Sequence, residues 1–472
     1  MKLVETSLLS FRPSVSPKRL FLILALVGFV LRMGFGVVRY RSALVRLSGQ
    51  SFIEFWDHDP LAHILIAKAL REGKGYVVEN MPLPPGKHVH LAGEEAVHKA
   101  PFYEFFLVGV FAISGFSFKV LLPAQALLGG LLSGFVGLIG LRVFRQLKVA
   151  WFAGILAAAH PILVNSASQP YNENLFFCLY AAAILAFLVW LDSHHWTWAL
   201  LCGVTSGLCI LTRENGTLLL ASMGLVVLIF ASRFRQSWIA YGMIVLAAIA
   251  VVSPWTIRNY VRYGVFVPVT SIVGTDFVEG NNPCVGPEGI FTPYWAEGAC
   301  AWAEQQFLAQ PESRMFGSPI PMAVRIDHAL RRVGMQFVRD HPSVYLKLMF
   351  RRFWTTLLPF DPRGAQKFEE KAMLLGYWLL VFPAGTLGMA LALKRRESGR
   401  WLLGILVLLN LASIMAVLYW SDLRFRVGID LLLGCFAGWF YAELASRRRP
   451  AVSPAIIENR ASGMGVGVRN AS

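Results

Sequence analysis

Phe55-Trp56-Asp57-His58-Asp59-Pro60 sets two carboxylates two positions apart, shortly after the first apolar stretch of the chain. A carboxylate held beside a bound reactant takes up a proton, and removing a well-placed general base typically costs about 10² to 10⁴ in rate. Further along stand His98 and Lys99, Asn172 and Glu173, Arg213 and Glu214, Arg258, and Asp422, Arg424 and Arg426. Lysine as a point charge and arginine as a planar fork are the side chains that hold a phosphate. Each also has a plainer reading. Lys99 can snorkel where a helix begins, Glu173 can complement a helix N-terminus, Arg258 can anchor to lipid, and Arg213 can pair with Glu214. Asp59 can be an N-cap ahead of Pro60, a favoured first-turn residue. What sets the group apart is that all of it falls near one end of the apolar segments that must position it.

Those segments dominate the composition. Among 472 residues, 56% are hydrophobic and only 15% charged, with a mean hydropathy of +0.54; an all-α polytopic membrane protein is expected. The formal charge of +16 lies in short Lys and Arg clusters between apolar spans, the pattern of orientation signals and anionic headgroups, so the expected partners include membrane lipids and no nucleic acid.

Residues 1–19 read as a cytoplasmic N-terminus. Leu20 to Val38, interrupted by Arg32, reads as an uncleaved first helix. A polar outer loop, 39–100, carries Asp57 and Asp59, an amphipathic helix expected over Leu61 to Glu72, and a turn-rich run at Pro82, Pro84, Pro85 and Gly86. Apolar segments then follow at Phe102 to Ile113, Val120 to Phe144, Val149 to Val164, Leu175 to Leu191, Trp198 to Leu211, Leu218 to Ala231 and Trp238 to Val252, closing an N-terminal transmembrane module, 20–253. Residues 254–370 form a second outer loop, in which Ala323 to Leu358 reads as helices on the membrane surface. Ala372 to Leu393, Trp401 to Tyr419 and Val427 to Ala445 supply the C-terminal helices within 371–446, and 447–472 reads as a disordered cytoplasmic tail.

Basic clusters at Arg142, Arg145 and Lys148, at Arg233 and Arg235, at Lys394 to Arg396 and at Arg447 to Arg449 belong together on the cytoplasmic side. Counting every apolar segment as a crossing places Arg142 to Lys148 on the wrong side. Phe102 to Ile113, too short for a full span, is the segment expected not to cross.

The motifs resemble a family. Asp59, with Ala67 eight residues on and Gly73-Lys74-Gly75-Tyr76 beyond, is similar to the first outer loop of the GT-C glycosyltransferases, in the protein mannosyltransferase and aminoarabinose transferase branch called family 39. His63 replaces that loop's aromatic residue, and Pro60 stands where the family often has Glu, which leaves both Asp57 and Asp59 open as the working acid. The resemblance continues through His98-Lys99-Ala100-Pro101-Phe102-Tyr103, Pro170-Tyr171-Asn172-Glu173, Gly207 to Arg213, Pro254-Trp255-Thr256-Ile257-Arg258-Asn259-Tyr260, Gly280-Asn281-Asn282-Pro283 and Arg424-Phe425-Arg426-Val427.

It implies a GT-C-like bundle of about 10–11 transmembrane segments with two large extracytoplasmic loops. It implies a hexosyl or pentosyl transferase that moves a sugar from a polyprenyl-phosphate donor to a lipid, glycan or protein acceptor, with inversion. One carboxylate, Asp59 or Asp57, accepts the acceptor's proton; the phosphate leaving group needs cations rather than an acid. Lys99 resembles the family's phosphate-contacting lysine, and Arg424 or Arg258 supplies a second cation. His98, Glu173 and Arg213 complete the expected substrate-binding set. A bacterial inner membrane, with the active site facing outward, is the expected location in the cell envelope.

Asp57-His58-Asp59 also has the outline of a DxD metal motif, but the histidines at 58, 63, 88, 90 and 98 have no ligand spacing such as HExxH, and no metal or cofactor is expected. Cys178, Cys202, Cys209 and Cys435 read as core residues, and Cys284 and Cys300 as a possible disulfide of the second loop. A lipid-linked-sugar transporter or flippase is the alternative class; it calls for ionisable groups near the midplane and repeated halves.

Overall fold

The computed structural model describes residues 15–82, 92–231, 235–283, 302–315, 318–360, 367–416 and 423–447. His88, His90, Cys284, Cys300, Asp422 and the tail 448–472 lie outside the described residues.

Helix α1 (Pro17–Arg39) starts at Ser16, whose side chain caps Arg19 N, with Pro17 preset for the first turn. Helices α2 (Arg41–Arg46), α3 (Gly49–Phe55) and α4 (His58–Arg71) follow it, then α5 (Pro101–Ser114) and the long α6 (Phe118–Phe144). α1 packs antiparallel on α6 through small residues: a Cβ on Gly28 would meet Ser133, one on Gly36 would meet Leu122, and one on Gly137 would meet Leu24. The N-terminal end of α1 is therefore level with the basic end of α6 at Arg142.

That pairing shows why the count of crossings fails at α5. The chain leaves the top of α1 and re-enters at the top of α6, and Ser48 bridges Ser117 while Gly49 N bonds Phe116 O at 2.8 Å. α5 has 14 residues, about 21 Å of helix against a hydrocarbon core of roughly 30 Å. The segment expected not to cross lies between two points at the same end of the bundle.

Close packing of α1 on α6 leaves no room for a side chain at Gly130, where a Cβ would lie 2.5 Å from Ala25 O. Gly130→Val is expected to destabilise the protein by ~1–3 kcal/mol, read as a lower melting temperature in detergent. An unchanged melting temperature would contradict this packing.

The single span expected over Val149 to Val164 is instead two helices, α7 (Leu147–Ala158) and α8 (Pro161–Ser166). Pro161 donates no hydrogen bond and holds His160 extended, with ψ at 116°. The freed carbonyls find a partner in the residue that interrupts α1: Arg32, fully buried, donates to Ala157 O at 3.0 Å, to Ala158 O at 3.1 Å and to Asn174 Oδ1 at 3.4 Å. A guanidinium inside a span is tolerated because it satisfies a broken helix end.

α9 (Glu173–Ser193) runs parallel to α6, with Asp192 3.3 Å from Arg142. α10 (Trp196–Ile210) returns, and α11 (Thr217–Ala231) pairs with α12 (Arg235–Tyr263). α12 does not stop at Val252 as expected. It continues through Pro254, whose missing donor would orphan Ala250 O; Ser253 Oγ donates to that carbonyl at 3.2 Å.

Among the described residues the second polar region holds α13 (Val273–Gly280), α14 (Trp302–Leu308), α15 (Met322–Asp340) and α16 (Pro342–Leu357). Arg352 of α16, buried, donates to Asn281 Oδ1 at 2.9 Å, to Gly280 O and to Met415 O at 2.8 Å, fixing the Gly280-Asn281 corner to the bundle. α17 (Phe368–Leu393), α18 (Ser398–Ala416) and α19 (Leu423–Arg447) close the fold. α17 and α19 run parallel, since a Cβ on Gly385 would meet Leu433 and one on Gly388 would meet Phe436.

Among the described residues, seven helices are long and apolar enough to cross a membrane, and four shorter apolar helices accompany them. This is an all-α polytopic membrane protein. The buried cysteines 178, 202, 209 and 435 sit in its core. Lys18, Arg142, Arg145, Lys148, Arg395 and Arg447 gather at one end of the bundle, and the starts of α4, α5, α9 and α19 at the other.

Candidate active site

An aromatic cluster sets the first acid. Phe52, Tyr40 and Trp56 pack around Phe118 with ring centroids 5.0, 4.8 and 5.4 Å away, which pins the chain just before Asp57. Asp57 then caps α4, its side chain accepting from His58 N at 2.9 Å. His58 takes a left-handed φ of 48°, uncommon for a non-glycine residue, and Asp59 falls in the first helical turn. α4 thus begins ahead of the expected Leu61 and is buried around most of its circumference, not amphipathic.

Asp59 faces Lys99, whose ammonium donates to Oδ1 at 2.7 Å; the Asp59 side chain is 50% exposed and that of Lys99 17%. Lys99 is held ahead of α5 by its own N–H on Ala96 O at 2.9 Å and by Tyr76, whose hydroxyl donates to Lys99 O at 3.0 Å. The Lys99 ammonium keeps the Asp59 carboxyl well below the usual carboxylate range; desolvation works against it, and Arg424 and His63 add to the depression. His98 stands half-buried beside Lys99.

A second carboxylate organises the cations. Glu173, the first residue of α9 and almost wholly buried, receives Arg213 Nη1 at 3.2 Å and lies 3.8 Å from Arg424 Nη1. The guanidinium of Arg213 lies over Phe176 and Phe425, and that of Arg424 lies over Tyr171 at 5.2 Å. Arg424, beside Glu173, also helps to hold the Asp59 carboxyl low. Arg213 and Glu214 do not pair with each other: Glu214 accepts from Thr270 instead.

Asp59, Lys99, Glu173, Arg213 and Arg424 come together, and Arg258 does not join them. Its guanidinium is taken by Glu95 at 3.2 Å, Asn259 at 3.0 Å and Tyr263, over the Trp255 ring. Arg262 also grips Glu95. This clasp ties the Val77–Glu95 bridge to the end of α12.

Two further groups lie outside the sequence-derived set. His63 Nδ1 is 2.7 Å from Glu104 Oε1, both side chains buried. Asp276, on α13, has its carboxyl pushed up to about 7 by burial and by Glu214, while Lys99 pulls it down. Burial and Asp276 likewise raise Glu279. Both acids lie just ahead of the Gly280-Asn281-Asn282-Pro283 motif, the one sequence signal near them. Ser271 N bonds Val97 O at 3.0 Å, which brings α13 next to the Lys99 segment.

The oligosaccharyltransferase of Archaeoglobus fulgidus in its apo form shares the fold at 14% identity and a TM-score of 0.51, over 96% of this chain and 52% of that one. The same organism's oligosaccharyltransferase AglB, in complex with an inhibitory peptide and a dolichol-phosphate, matches at 16% identity and a TM-score of 0.51, over 96% and 53%. The chain spans about half the length of these archaeal structures. No curated protein matches the sequence. The GT-C-like bundle expected from the motifs is the fold found, and residues 98–257, which include His98, Lys99, Glu173 and Arg213 but neither Asp59 nor Arg424, match the family model described as dolichyl-phosphate-mannose-protein mannosyltransferase.

Proposed function

We propose that this protein is an integral-membrane glycosyltransferase that moves a sugar from a polyprenyl-phosphate donor to a lipid, glycan or protein acceptor on the extracytoplasmic side of the bacterial inner membrane. The observation that carries the reading is the half-exposed carboxylate of Asp59 set against Lys99 and Arg424 at the end of the bundle opposite the basic clusters. The dolichol-phosphate held by the archaeal protein of the same fold supports the donor class.

In this reading the prenyl tail lies among the helices and the phosphate meets Lys99, Arg424 and Arg213. The acceptor oxygen attacks the anomeric carbon, the bond from that carbon to the phosphate oxygen breaks with its electron pair on the phosphate, and the acceptor's proton passes to Asp59. When Lys99 turns to the phosphate, the depression of Asp59 eases and the carboxylate becomes a better base. Asp57 serves as the helix cap, and Glu173 spaces the two guanidinium groups.

Purified protein in detergent, given a panel of radiolabelled polyprenyl-phosphate sugars and nucleotide sugars, is expected to release prenyl phosphate from at least one of the former and to leave the latter intact. Use of nucleotide sugars, or no turnover of any donor by folded protein, would overturn the reading, the second in favour of a transporter.

A further inference from the structure

Lys99 closes a tight turn: its N–H bonds Ala96 O at 2.9 Å, and its carbonyl accepts from the Tyr76 hydroxyl at 3.0 Å. The turn hangs from a pairing of a few residues around the Val77–Glu95 bridge, with Val78 N on Glu94 O at 2.9 Å and Ala96 N on Tyr76 O at 3.0 Å. A two-stranded pairing this short is marginal by itself. Where Lys99 sits therefore depends on what the pairing is tied to.

It is tied to α12 from both sides. Ahead of the turn, the Glu95 carboxylate accepts from Arg258 Nη2 at 3.2 Å, Arg262 Nε at 2.6 Å and the Tyr263 hydroxyl at 2.9 Å. Within the turn, Val97 O accepts from Ser271 N at 3.0 Å, and the Val97 side chain is buried in one cluster with Tyr263 and Val267. The chain that carries Ser271 is itself held by α12: Trp255 Nε1 donates to Val269 O at 2.8 Å and Asn259 Nδ2 to Val267 O at 3.1 Å. The Trp255 ring meets Tyr76 edge-on at 4.7 Å and lies under the Arg258 guanidinium at 5.0 Å. Arg258 thus bears on both ends of the turn, on Glu95 directly and on the Lys99 carbonyl through Trp255 and Tyr76.

The value of this clasp lies in placement more than in stability. The side chains of Glu95, Arg258 and Arg262 are 17, 27 and 55% exposed, and ion pairs that reach water add little to folding. A misplacement of ~1 Å at a group that orients substrate can cost about 10²-fold in rate.

We propose that Glu95, gripped by Arg258 and Arg262, is a positioning residue for the Lys99 ammonium and so sets where the donor phosphate is met. This inference rests on the glycosyltransferase reading above. Glu95 acts through the turn and takes no part in the displacement itself.

The test uses the full chain in detergent and a polyprenyl-phosphate sugar that it turns over, with kcat, donor KM and melting temperature measured for each variant. Glu95→Gln keeps the size of the side chain and removes its charge. It is expected to raise donor KM about 3- to 10-fold, short of the ~10² of a full misplacement, with kcat and melting temperature close to wild type. Arg262→Met is expected to act in the same direction, and Arg262→Lys to recover most of that loss. The discriminating variant is the double one. Added to Lys99→Met, Glu95→Gln is expected to change donor KM no further, because no ammonium is left to place.

Losses that multiply in the double variant would mean that the clasp acts by another route, and would overturn the proposal. So would a wild-type donor KM in folded Glu95→Gln, or a lowered melting temperature with donor KM unmoved, either of which would reduce the clasp to loop packing. If Glu95→Gln does not fold, Arg262→Met carries the same comparison, alone and with Lys99→Met. If no polyprenyl-phosphate sugar is turned over, the glycosyltransferase reading fails and this inference with it; if Lys99→Met raises donor KM and the clasp variants behave as wild type, only the present inference fails.

Discussion

Asp59→Asn is expected to lower sugar transfer by about 10² to 10⁴ while the protein still folds and still binds donor. The amide keeps the size of the side chain and its place in the first turn of α4, so helix and packing survive. It removes the negative charge that faces Lys99 at 2.7 Å and the one lone-pair site basic enough to take the acceptor's proton. Asp57→Asn is expected to be mild by comparison, because an asparagine caps a helix about as well as an aspartate and Asp57 spends its carboxylate on His58 N. The measurement is kcat with a turned-over donor. Equal losses in both variants, or a loss in Asp57→Asn alone, would reassign the base.

Lys99→Met is expected to reduce kcat/KM for the donor by roughly 10- to 100-fold, the equivalent of losing one charge-assisted hydrogen bond, with the loss appearing mainly in KM. Methionine follows the path of the lysine stem without its charge. Lys99→Arg is expected to recover part of the loss, since the charge returns but the fork does not reproduce a point contact. The same substitution has a second consequence at Asp59. With the ammonium gone, the chief cause of the depressed carboxyl is removed and its pKa rises, so the acid limb of the rate profile is expected to shift upward in pH for Lys99→Met and to stay near the wild-type position for Lys99→Arg. Loss of kcat with an unchanged donor KM would instead make Lys99 a partner of Asp59 only, and the phosphate would have to be held by Arg424 and Arg213.

Most of the bundle is legible in the chain because a span needs only length and apolar composition, and Phe118–Phe144 or Glu173–Ser193 satisfy both within a few residues of the expected bounds. The break at His160 is also written in the sequence, as Pro161, yet reading through it is natural while the partner of the freed carbonyls is unknown; that partner is Arg32, more than a hundred residues away. Pro254 behaves in the opposite way, since the adjacent Ser253 takes up the orphaned carbonyl and the helix continues. Local sequence alone does not separate these two prolines.

The same distinction runs through the candidate site. Lys99, Glu173, Arg213 and Arg424 are identifiable by type and by their place at helix ends. That Glu173 gathers both arginines, that Arg258 is taken by Glu95, and that His63 meets Glu104 across 41 residues are facts of packing, with no periodic signal to announce them. Which of Asp57 and Asp59 faces Lys99 is open in the sequence for the same reason: the start of α4 sets Asp57 as the cap and turns Asp59 toward Lys99.

The account's central claim is a single displacement at the anomeric carbon with Asp59 as base, and the anomeric configuration of the first glycoside formed tests it most directly. Nuclear magnetic resonance of that product, made from a polyprenyl-phosphate sugar of known configuration, is predicted to show inversion. Retained configuration would require a covalent sugar on the enzyme and a second displacement, and would contradict the role given to Asp59.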